Sequence, residues 1–165
     1  MRVEYNFSNG GSMIDKDSFS EFAKLYDDSE NEVGGLQILY FTNGQKNMAY
    51  IERVFIKPEF QKKGYATYLL NDVVQHIIES DIQINNSGYE SLTVTNNQID
   101  SFQNTYERGL DEIFLLAEKR LSPLYEKVGF ENKSSYEGMN DQCVFKIDLD
   151  DFKDKSLEDR ISSLN

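Results

Sequence analysis

The sequence is poor in the residues that build metal and disulfide sites. It holds one cysteine, one histidine, two prolines and no tryptophan among 165 residues. A single cysteine excludes an intrachain disulfide, and one cysteine with one histidine argues against a zinc cluster of the Cys/His type. We therefore expect no metal site and a reducing compartment.

Long apolar runs are also lacking. No stretch approaches the roughly 18 apolar residues that indicate a membrane-spanning helix. The first residues alternate apolar and polar side chains, as in a strand, and lack the apolar centre of a signal peptide. We expect a cytoplasmic protein with no membrane partner.

Basic residues are few: 17 Lys and Arg stand against 29 Asp and Glu, which gives a net charge of −12. This balance argues against nucleic acid and anionic membrane surfaces as partners. It leaves amines, polyamines and lysine-rich peptides open, beside the simpler interpretation that the charge only keeps the protein soluble. The charge is uneven, because residues 52–63 carry four bases against two acids.

What is present suffices for one folded domain. Hydrophobic residues make up 39% of the chain and include 11 Phe and 10 Tyr, enough for a buried core. We assign residues 1–149 to a single domain and residues 150–165 to a charged, acidic tail.

Local patterns predict the elements in order. We expect a strand over 2–7, a helix over 18–26 that begins with a Ser18–Glu21 capping box, and a hairpin of 35–41 with 48–56 around Asn43-Gly44. A helix over 66–78, a strand over 91–95 and a helix over about 106–120 follow. The chain then forms a short helix from Pro123 to Val128, capped by Ser122 and ended by Gly129, and strands over 130–136 and 142–149. This order predicts an α/β or α+β fold, with a mixed sheet and flanking helices. By itself the order names no function.

The segment that carries chemistry is ERVFIKPEFQKKGYATYLL, residues 52–70. A strand ends, a polar turn with Gly64 follows, and a long helix begins. The first turn of a helix has unpaired N–H groups and a partial positive charge, so this junction is a candidate phosphate site. Lys62 and Lys63 add positive charge and Thr67 adds a hydroxyl. An ordinary strand-to-helix loop with solvated lysines is the alternative.

Two motifs in this order resemble the GNAT superfamily of acetyl-CoA-dependent N-acetyltransferases. Gln61-x-x-Gly64-x-Ala66, after a strand that ends in Val-x-Ile-x-Pro, is similar to the acetyl-CoA signature of that family. The later segment Tyr125-Glu-Lys-Val-Gly-Phe130 is similar to the family's Tyr-x-x-x-Gly-Phe motif. The strand around Glu52 looks most like the branch that acetylates amines and polyamines.

The resemblance implies a mixed, mostly antiparallel sheet with a splayed strand pair, formed by the strands at 54–56 and 91–95. It also implies acetyl-CoA as co-substrate, with the pantetheine arm in the gap between these strands. A backbone N–H of the strand end would polarise the thioester carbonyl. The residues that the resemblance assigns to the coenzyme are Val54, Phe55, Ile56, Gln61, Lys62, Lys63, Gly64, Tyr65, Ala66 and Thr67, with Asn96 as a further candidate.

Transfer to an amine poses two proton problems. A primary amine with a pKa near 10.4 is mostly protonated at neutral pH and must lose a proton before it attacks. The departing thiolate, whose pKa is about 8.5, gains from receiving one. Glu52, on one strand face with Tyr50 and Val54, is the candidate base. Tyr125 is the candidate acid. The alternatives are an exposed strand glutamate and a core aromatic.

The acceptor is the least determined partner. The chain ahead of the hairpin is short for the family, and the predicted helix over 106–120 is an insertion that either walls the acceptor site or makes a dimer contact. A polyamine, an aminoglycoside or a lysine or N-terminal amine would fit the acidic charge. The rival function is a non-catalytic acidic binding or inhibitor protein on the same scaffold. Outside these motifs, we expect His76 to be solvated and Cys143 to be buried.

Overall fold

A computed structural model describes residues 1–7, 19–42, 45–87, 110–135 and 142–149 of the chain. Within these ranges lie seven strands, two helices and two short 3-10 turns, one over Pro58–Phe60 and one over Lys119–Leu121. The strands are β1 (Arg2–Phe7), β2 (Phe19–Tyr26), β3 (Glu32–Thr42), β4 (Asn47–Ile56), β5 (Glu112–Glu118), β6 (Glu131–Ser135) and β7 (Gln142–Asp148), and the helices are α1 (Tyr65–Ser87) and α2 (Ser122–Val128).

All seven strands form one sheet in the order β1-β2-β3-β4-β5-β7-β6. Only β4 and β5 pair in parallel, and the other neighbours are antiparallel. The predicted mixed, mostly antiparallel sheet with flanking helices is therefore confirmed. A parallel pair needs a long crossover connection, and α1 lies in the connection between β4 and β5.

The helix α1 covers one face of the sheet with a continuous apolar stripe. Its buried side chains are Leu69, Leu70, Val73, Val74, Ile77 and Ile78. They recur at positions i, i+3 and i+4, which places them on one side of a helix with 3.6 residues per turn. The predicted helix over 66–78 is confirmed and extends to Ser87. No helix in the described ranges is long and apolar enough to cross a membrane.

The predicted helix over 18–26 is wrong for its described part, because residues 19–26 form the strand β2. Burial alternates along this strand: Glu21, Ala23 and Leu25 are buried, whereas Phe22 and Lys24 are exposed. Pairing with β1 on one side and β3 on the other overrides the local helix signal. The residue types did not reveal this alternation, because the buried set includes the charged Glu21 and the exposed set includes the apolar Phe22.

The predicted helix over about 106–120 is also wrong where it is described, since residues 112–118 form β5. Ile113, Leu115 and Ala117 point into the core in alternation, and the strand pairs with β4 and β7. A short apolar run such as EIFLLAE fits a buried strand or a buried helix equally well by periodicity alone. The predicted strand over 91–95 lies outside the described residues, and the strand next to β4 is β5.

The C-terminal elements follow the sequence closely. The predicted short helix is α2, and Gly129 ends it in a left-handed conformation with φ 116°. Ser122 does not cap it, because Ser122 is itself the first helical residue and its hydroxyl donates to the Lys119 carbonyl at 2.7 Å. The predicted final strand pair is confirmed as β6 and β7. The tail over 150–165 lies outside the described residues.

Candidate active site

The strand β4 changes its register with β3 just before its end. Gln37 pairs with Glu52 and Gly35 pairs with Phe55, so that Leu36 lies opposite two residues of β4. One of these two, Arg53, has the left-handed φ of 56°. An extra residue of this kind is a β-bulge, and it shifts the alternation of all later side chains by one position.

Two glycines of β3 allow the chains to approach closely at the bulge. A Cβ added to Gly34 would overlap the Phe55 carbonyl oxygen, and one added to Gly35 would lie 2.6 Å from the Ala23 carbonyl oxygen. Both contacts are with backbone atoms, which cannot move aside as a flexible side chain can. The Gly34-Gly35 pair is therefore required by the space beside the bulge.

The bulge decides which face each residue of the site occupies. Glu52 shares a face with Tyr50, as predicted, and with Gln37 across the strand pair. Val54 and Ile56 instead pack against the core on the α1 side. The prediction that Val54 lies on the face of Glu52 is wrong, because the sequence does not reveal the extra residue between them.

A gap opens between β4 and β5 beyond the bulge. The parallel pairing runs from Met48 with Glu112 to Ile51 with Leu115 and ends there, although both strands continue. From Glu52 onward, the β4 edge that faces β5 thus lacks a ladder partner among the described residues. The end of β4 is unpaired on this side, as the predicted splay requires, and its parallel neighbour up to that point is β5. Residues 91–95, the predicted second strand of the splay, lie outside the described residues.

The loop after β4 turns into α1 through two left-handed residues, Lys62 with φ 62° and Gly64 with φ 86°. The Gly64 carbonyl accepts the first helical hydrogen bond, from Tyr68 N at 3.1 Å. The N–H groups of Tyr65, Ala66 and Thr67 therefore precede the first intrahelical donor and are free for an anion. No side chain of the described residues approaches the Cβ position of Gly64, so glycine serves the backbone conformation there and not a tight contact.

A cavity of about 220 Å³ lies over this helix start, and we call it the cradle. Seven of the residues predicted to hold the coenzyme line it together: Ile56, Gln61, Lys62, Gly64, Tyr65, Ala66 and Thr67. Phe60 and Leu124 complete the wall. Gln61 closes the loop, because its Nε2 donates to the Ile56 carbonyl at 2.9 Å.

Three predicted coenzyme residues of the described ranges do not line the cradle. Val54 packs on the core beside it, and the Phe55 side chain lies on the opposite face of the sheet, where it is 48% exposed. Lys63 is exposed, with its Nζ 6.0 Å from the centre of the Phe60 ring, so its charge stays near the cradle. Asn96 lies outside the described residues.

Tyr125 lies in α2, directly after the cradle wall residue Leu124, and belongs to the hydrophobic core. It is only 5% exposed, and its ring packs against Phe145 at 5.2 Å and Phe130 at 6.2 Å between ring centres. Burial raises the pKa of the Tyr125 phenol, whose ordinary value near 10 already keeps the hydroxyl protonated at neutral pH. Tyr125 is thus a core aromatic by packing, and its hydroxyl is protonated at neutral pH.

The prediction that His76 is solvated is wrong. Its ring stacks on Tyr5 with 3.5 Å between ring centres, and its Nε2 lies 3.0 Å from a carboxylate oxygen of Glu21. Glu21 is 3% exposed and also accepts a hydrogen bond from the Tyr40 hydroxyl at 2.9 Å. This cluster joins β1, β2 and β3 to α1, and the cradle stands at the start of that helix. Cys143 is buried, as predicted.

A second cavity, of about 240 Å³, lies on the sheet face opposite α1, and sequence reasoning missed it. We call it the sheet-face cavity, and its lining residues are Phe22, Ala23, Lys24, Glu32, Gly35, Leu36, Gln37, Arg53 and Phe55. They come from β2, β3 and β4, which only the sheet brings together. The described ranges contain no group of three or more His, Cys, Asp or Glu side chains arranged to hold a metal ion.

Residues 20–132 match the family model described as "Acetyltransferase (GNAT) domain". The match covers more than half of the chain, so this protein belongs to the GNAT acetyltransferases. The predicted family membership is thereby confirmed. A comparison with curated proteins found no match.

Solved structures of N-acetyltransferases share the fold. A variant of the spermidine N-acetyltransferase SpeG from Vibrio cholerae aligns with a TM-score of 0.51 and 19% identity, over 84% of this chain and 68% of that one. A chimera of Vibrio cholerae SpeG and hSSAT gives 0.50 and 18%, over 82% and 73%. The NatC complex bound to Gag peptide and CoA gives 0.50 and 15%, over 79% and 70%.

Proposed function

We propose that this chain is an acetyl-CoA-dependent N-acetyltransferase that acetylates a primary amine of a small molecule or a protein by direct attack. The observation that carries the proposal is the cradle, where seven residues assigned to the coenzyme from the sequence line one cavity at the start of α1. Family membership supports the reaction class.

The cradle fits a pyrophosphate group in three ways. Its floor consists of free backbone N–H groups of the first turn of α1, which also carries the positive end of the helix dipole. Lys62 and Lys63 add positive charge to an otherwise acidic chain. Gly64 lets the loop turn without strain.

When bound, acetyl-CoA supplies an acetyl group activated as a thioester. In the proposal, the gap between β4 and β5 holds the pantetheine arm, and a free N–H of the β4 segment from Val54 to Ile56 donates to the carbonyl oxygen. Glu52, partly buried beside the gap, accepts the proton of the incoming ammonium directly or through water. The protonated Tyr125 phenol returns a proton to the leaving sulfur.

The acceptor class follows from the neighbours and from the charge of the chain. SpeG is named for spermidine, and NatC was solved with a peptide, so proteins of this fold take amines of both kinds. The net charge of −12 favours a cationic acceptor, such as a polyamine, an aminoglycoside or a lysine or N-terminal amine.

Binding of acetyl-CoA is the first test. Calorimetry and thermal unfolding at millimolar acetyl-CoA should show saturable binding and a raised melting temperature, because a ligand that binds only the folded state stabilises it. CoA release with a panel of amines then identifies the acceptor. No binding and no release, together with stoichiometric capture of a basic protein, would favour the non-catalytic rival.

Glu52→Gln and Tyr125→Phe test the catalytic roles. Each removes a proton-transfer group with little change of shape, so turnover should fall by about 10²–10⁴-fold for the base and by less for the acid. The dissociation constant for acetyl-CoA should stay within about twofold, since neither side chain lines the cradle. Full activity in both variants would refute the roles but leave the function standing.

A further inference from the structure

The sheet-face cavity has apolar walls that are open to solvent. Phe22 from β2 and Phe55 from β4 line it, and they are 39% and 48% exposed. Most large apolar side chains of a folded protein are buried, and two exposed aromatic rings around one cavity mark a binding surface. The volume of about 240 Å³ is below the roughly 300–1,000 Å³ of sites for drug-sized ligands, so it suits a small molecule.

One polar group in the wall lacks a hydrogen-bond partner. The amide oxygen of Gln37, Oε1, is shielded from solvent and has no partner in the described part of the chain. A buried acceptor left without a partner is unfavourable, because it has lost its hydrogen bonds to water and gained none in return. The last torsion of a glutamine is soft, so the amide can turn its oxygen toward the cavity, where an N–H donor would satisfy it.

The charges around the cavity are balanced. Lys24 and Arg53 line it together with Glu32, and Glu52 lies next to Gln37 as its partner across the strand pair. With two positive and two negative groups, the cavity does not form the strongly acidic surface that would bind the several ammonium groups of a polyamine. The local charge therefore favours a ligand with a single ammonium group over a polyamine.

The cavity is also close to the proposed reaction centre. After the bulge, consecutive residues of β4 serve different cavities: Ile56 lines the cradle and Phe55 lines the sheet-face cavity. The two cavities thus lie on opposite faces of one strand, at the end where its pairing with β5 stops. Glu52 lies on the face of the second cavity, between it and the gap.

From these observations we propose that the sheet-face cavity is the acceptor site and takes a small primary monoamine that carries an aromatic or other apolar group. The proposal rests on the acetyltransferase function above. The apolar group lies between Phe22 and Phe55, and the nitrogen points toward Gln37 and Glu52.

The reaction balances without a further reactant. The ammonium gives one proton to Glu52, which passes it to solvent. The neutral nitrogen forms a bond to the acetyl carbon while the carbon–sulfur bond breaks and its electrons stay on sulfur. The second proton lost from nitrogen leaves with solvent, and the Tyr125 phenol protonates the sulfur and is reprotonated from water. The products are an N-acetyl amide, CoA thiol and one released proton.

The test compares 2-phenylethylamine with spermidine as acceptors. We expect kcat/KM for 2-phenylethylamine to exceed that for spermidine by at least about tenfold, the worth of one well-buried apolar group. Calorimetric titration of 2-phenylethylamine without acetyl-CoA gives a readout independent of activity and should show binding. A preference for spermidine, or no binding of 2-phenylethylamine, would overturn the proposal.

Variants locate the site. Phe22→Ala with Phe55→Ala should raise KM for 2-phenylethylamine about tenfold or more, through lost apolar contact, at an unchanged acetyl-CoA affinity. Phe22→Leu with Phe55→Leu should restore part of the loss. Phe41→Ala is the matched control, because Phe41 lies on β3 and packs edge-to-face on Phe114 without lining the cavity.

Gln37→Leu separates polar from apolar recognition. It keeps the volume and removes the acceptor oxygen, so binding of 2-phenylethylamine should weaken several-fold while the protein stays folded. If acetyl-CoA binds and some amine is acetylated, but neither the phenylalanine variants nor Gln37→Leu change KM, the acceptor site lies elsewhere. Failure of acetyl-CoA binding instead refutes the underlying function.

Discussion

The cradle and the sheet-face cavity lie on opposite faces of β4 and are built in different ways. The cradle is mostly local: eight of its nine lining residues fall between positions 56 and 67, and the groups that we propose for phosphate binding are backbone N–H groups and Lys62, with Lys63 nearby. The sheet-face cavity collects side chains from three strands around Phe22, Gln37 and Phe55. A site made of consecutive backbone suits a constant coenzyme, and a site made of distant side chains can set the choice of acceptor.

Charge reversal in the cradle should weaken the binding of acetyl-CoA and leave the binding of the amine acceptor unchanged. Lys62→Glu with Lys63→Glu should weaken acetyl-CoA binding about 10–100-fold, because each contact of a charged group with phosphate contributes about 1.5–3 kcal/mol. The loss should shrink at high salt, since both lysines are exposed. Calorimetry for acetyl-CoA, together with KM for the amine, measures the separation.

The matched control for charge is Lys127→Glu with Lys133→Glu. It makes the same change in net charge at two exposed residues that do not line the cradle, and Lys133 pairs with Glu131 on the surface. Its acetyl-CoA affinity should stay within about threefold of the wild type, because long-range charge effects are screened by salt. Equal losses in both double variants would mean that the cradle lysines act only through net charge.

Glycine substitutions should have a smaller effect on acetyl-CoA binding, and they separate the contribution of the backbone conformation from that of the lysine charges. Gly64 and Gly129 are both exposed, both have positive φ, and neither has an atom near its Cβ position. Alanine at either position should lower the free energy of unfolding by about 1–2 kcal/mol through backbone strain. Only Gly64→Ala should also weaken acetyl-CoA binding, by about tenfold, since it distorts the loop under the phosphates. Equal affinities in both variants would remove the loop from the coenzyme site.

The smallest effect concerns two phenols on the α1 side of the sheet, those of Tyr5 and Tyr125. The sheet-face cavity has no tyrosine among its lining residues. Burial raises the pKa of Tyr125, and burial with a 2.6 Å hydrogen bond to Asp72 raises that of Tyr5. A raised pKa stabilises the fold fully below the unfolded value, near 10, and this contribution is lost as pH rises above it. Denaturant unfolding between pH 9 and 11 should show this decline, and Tyr5→Phe and Tyr125→Phe should flatten it.

Local patterns predicted the elements whose signals lie within a few residues. The pairing of β3 with β4 as a hairpin, the apolar stripe of α1 and the glycine end of α2 are of this kind, and all three are present. The turn residues Asn43 and Gly44 lie outside the described residues. The errors are strands read as helices, β2 and β5. In both, the apolar residues fit a helical spacing, and pairing with neighbours distant in sequence made these segments strands.

The candidate site also contains parts that local sequence patterns predicted and parts that only long-range pairing decided. The motif around Gln61 and Gly64 predicted most of the cradle because its residues are adjacent in the chain. The extra residue at Arg53, the partnership of His76 with Glu21 and the second cavity had no local signal. Each depends on which backbone segments lie side by side.

The sequence alone determined the family and the position of the helix start that we propose for phosphate binding, and it indicated the two candidate proton-transfer groups, because these depend on residue type and short spacing. The tertiary structure decided the strand that flanks the gap, the face on which Phe55 lies and the walls of the second cavity. The physical reason is register: one extra residue in β4 exchanges the two faces of everything after it, and only the pairing with β3 shows where it is.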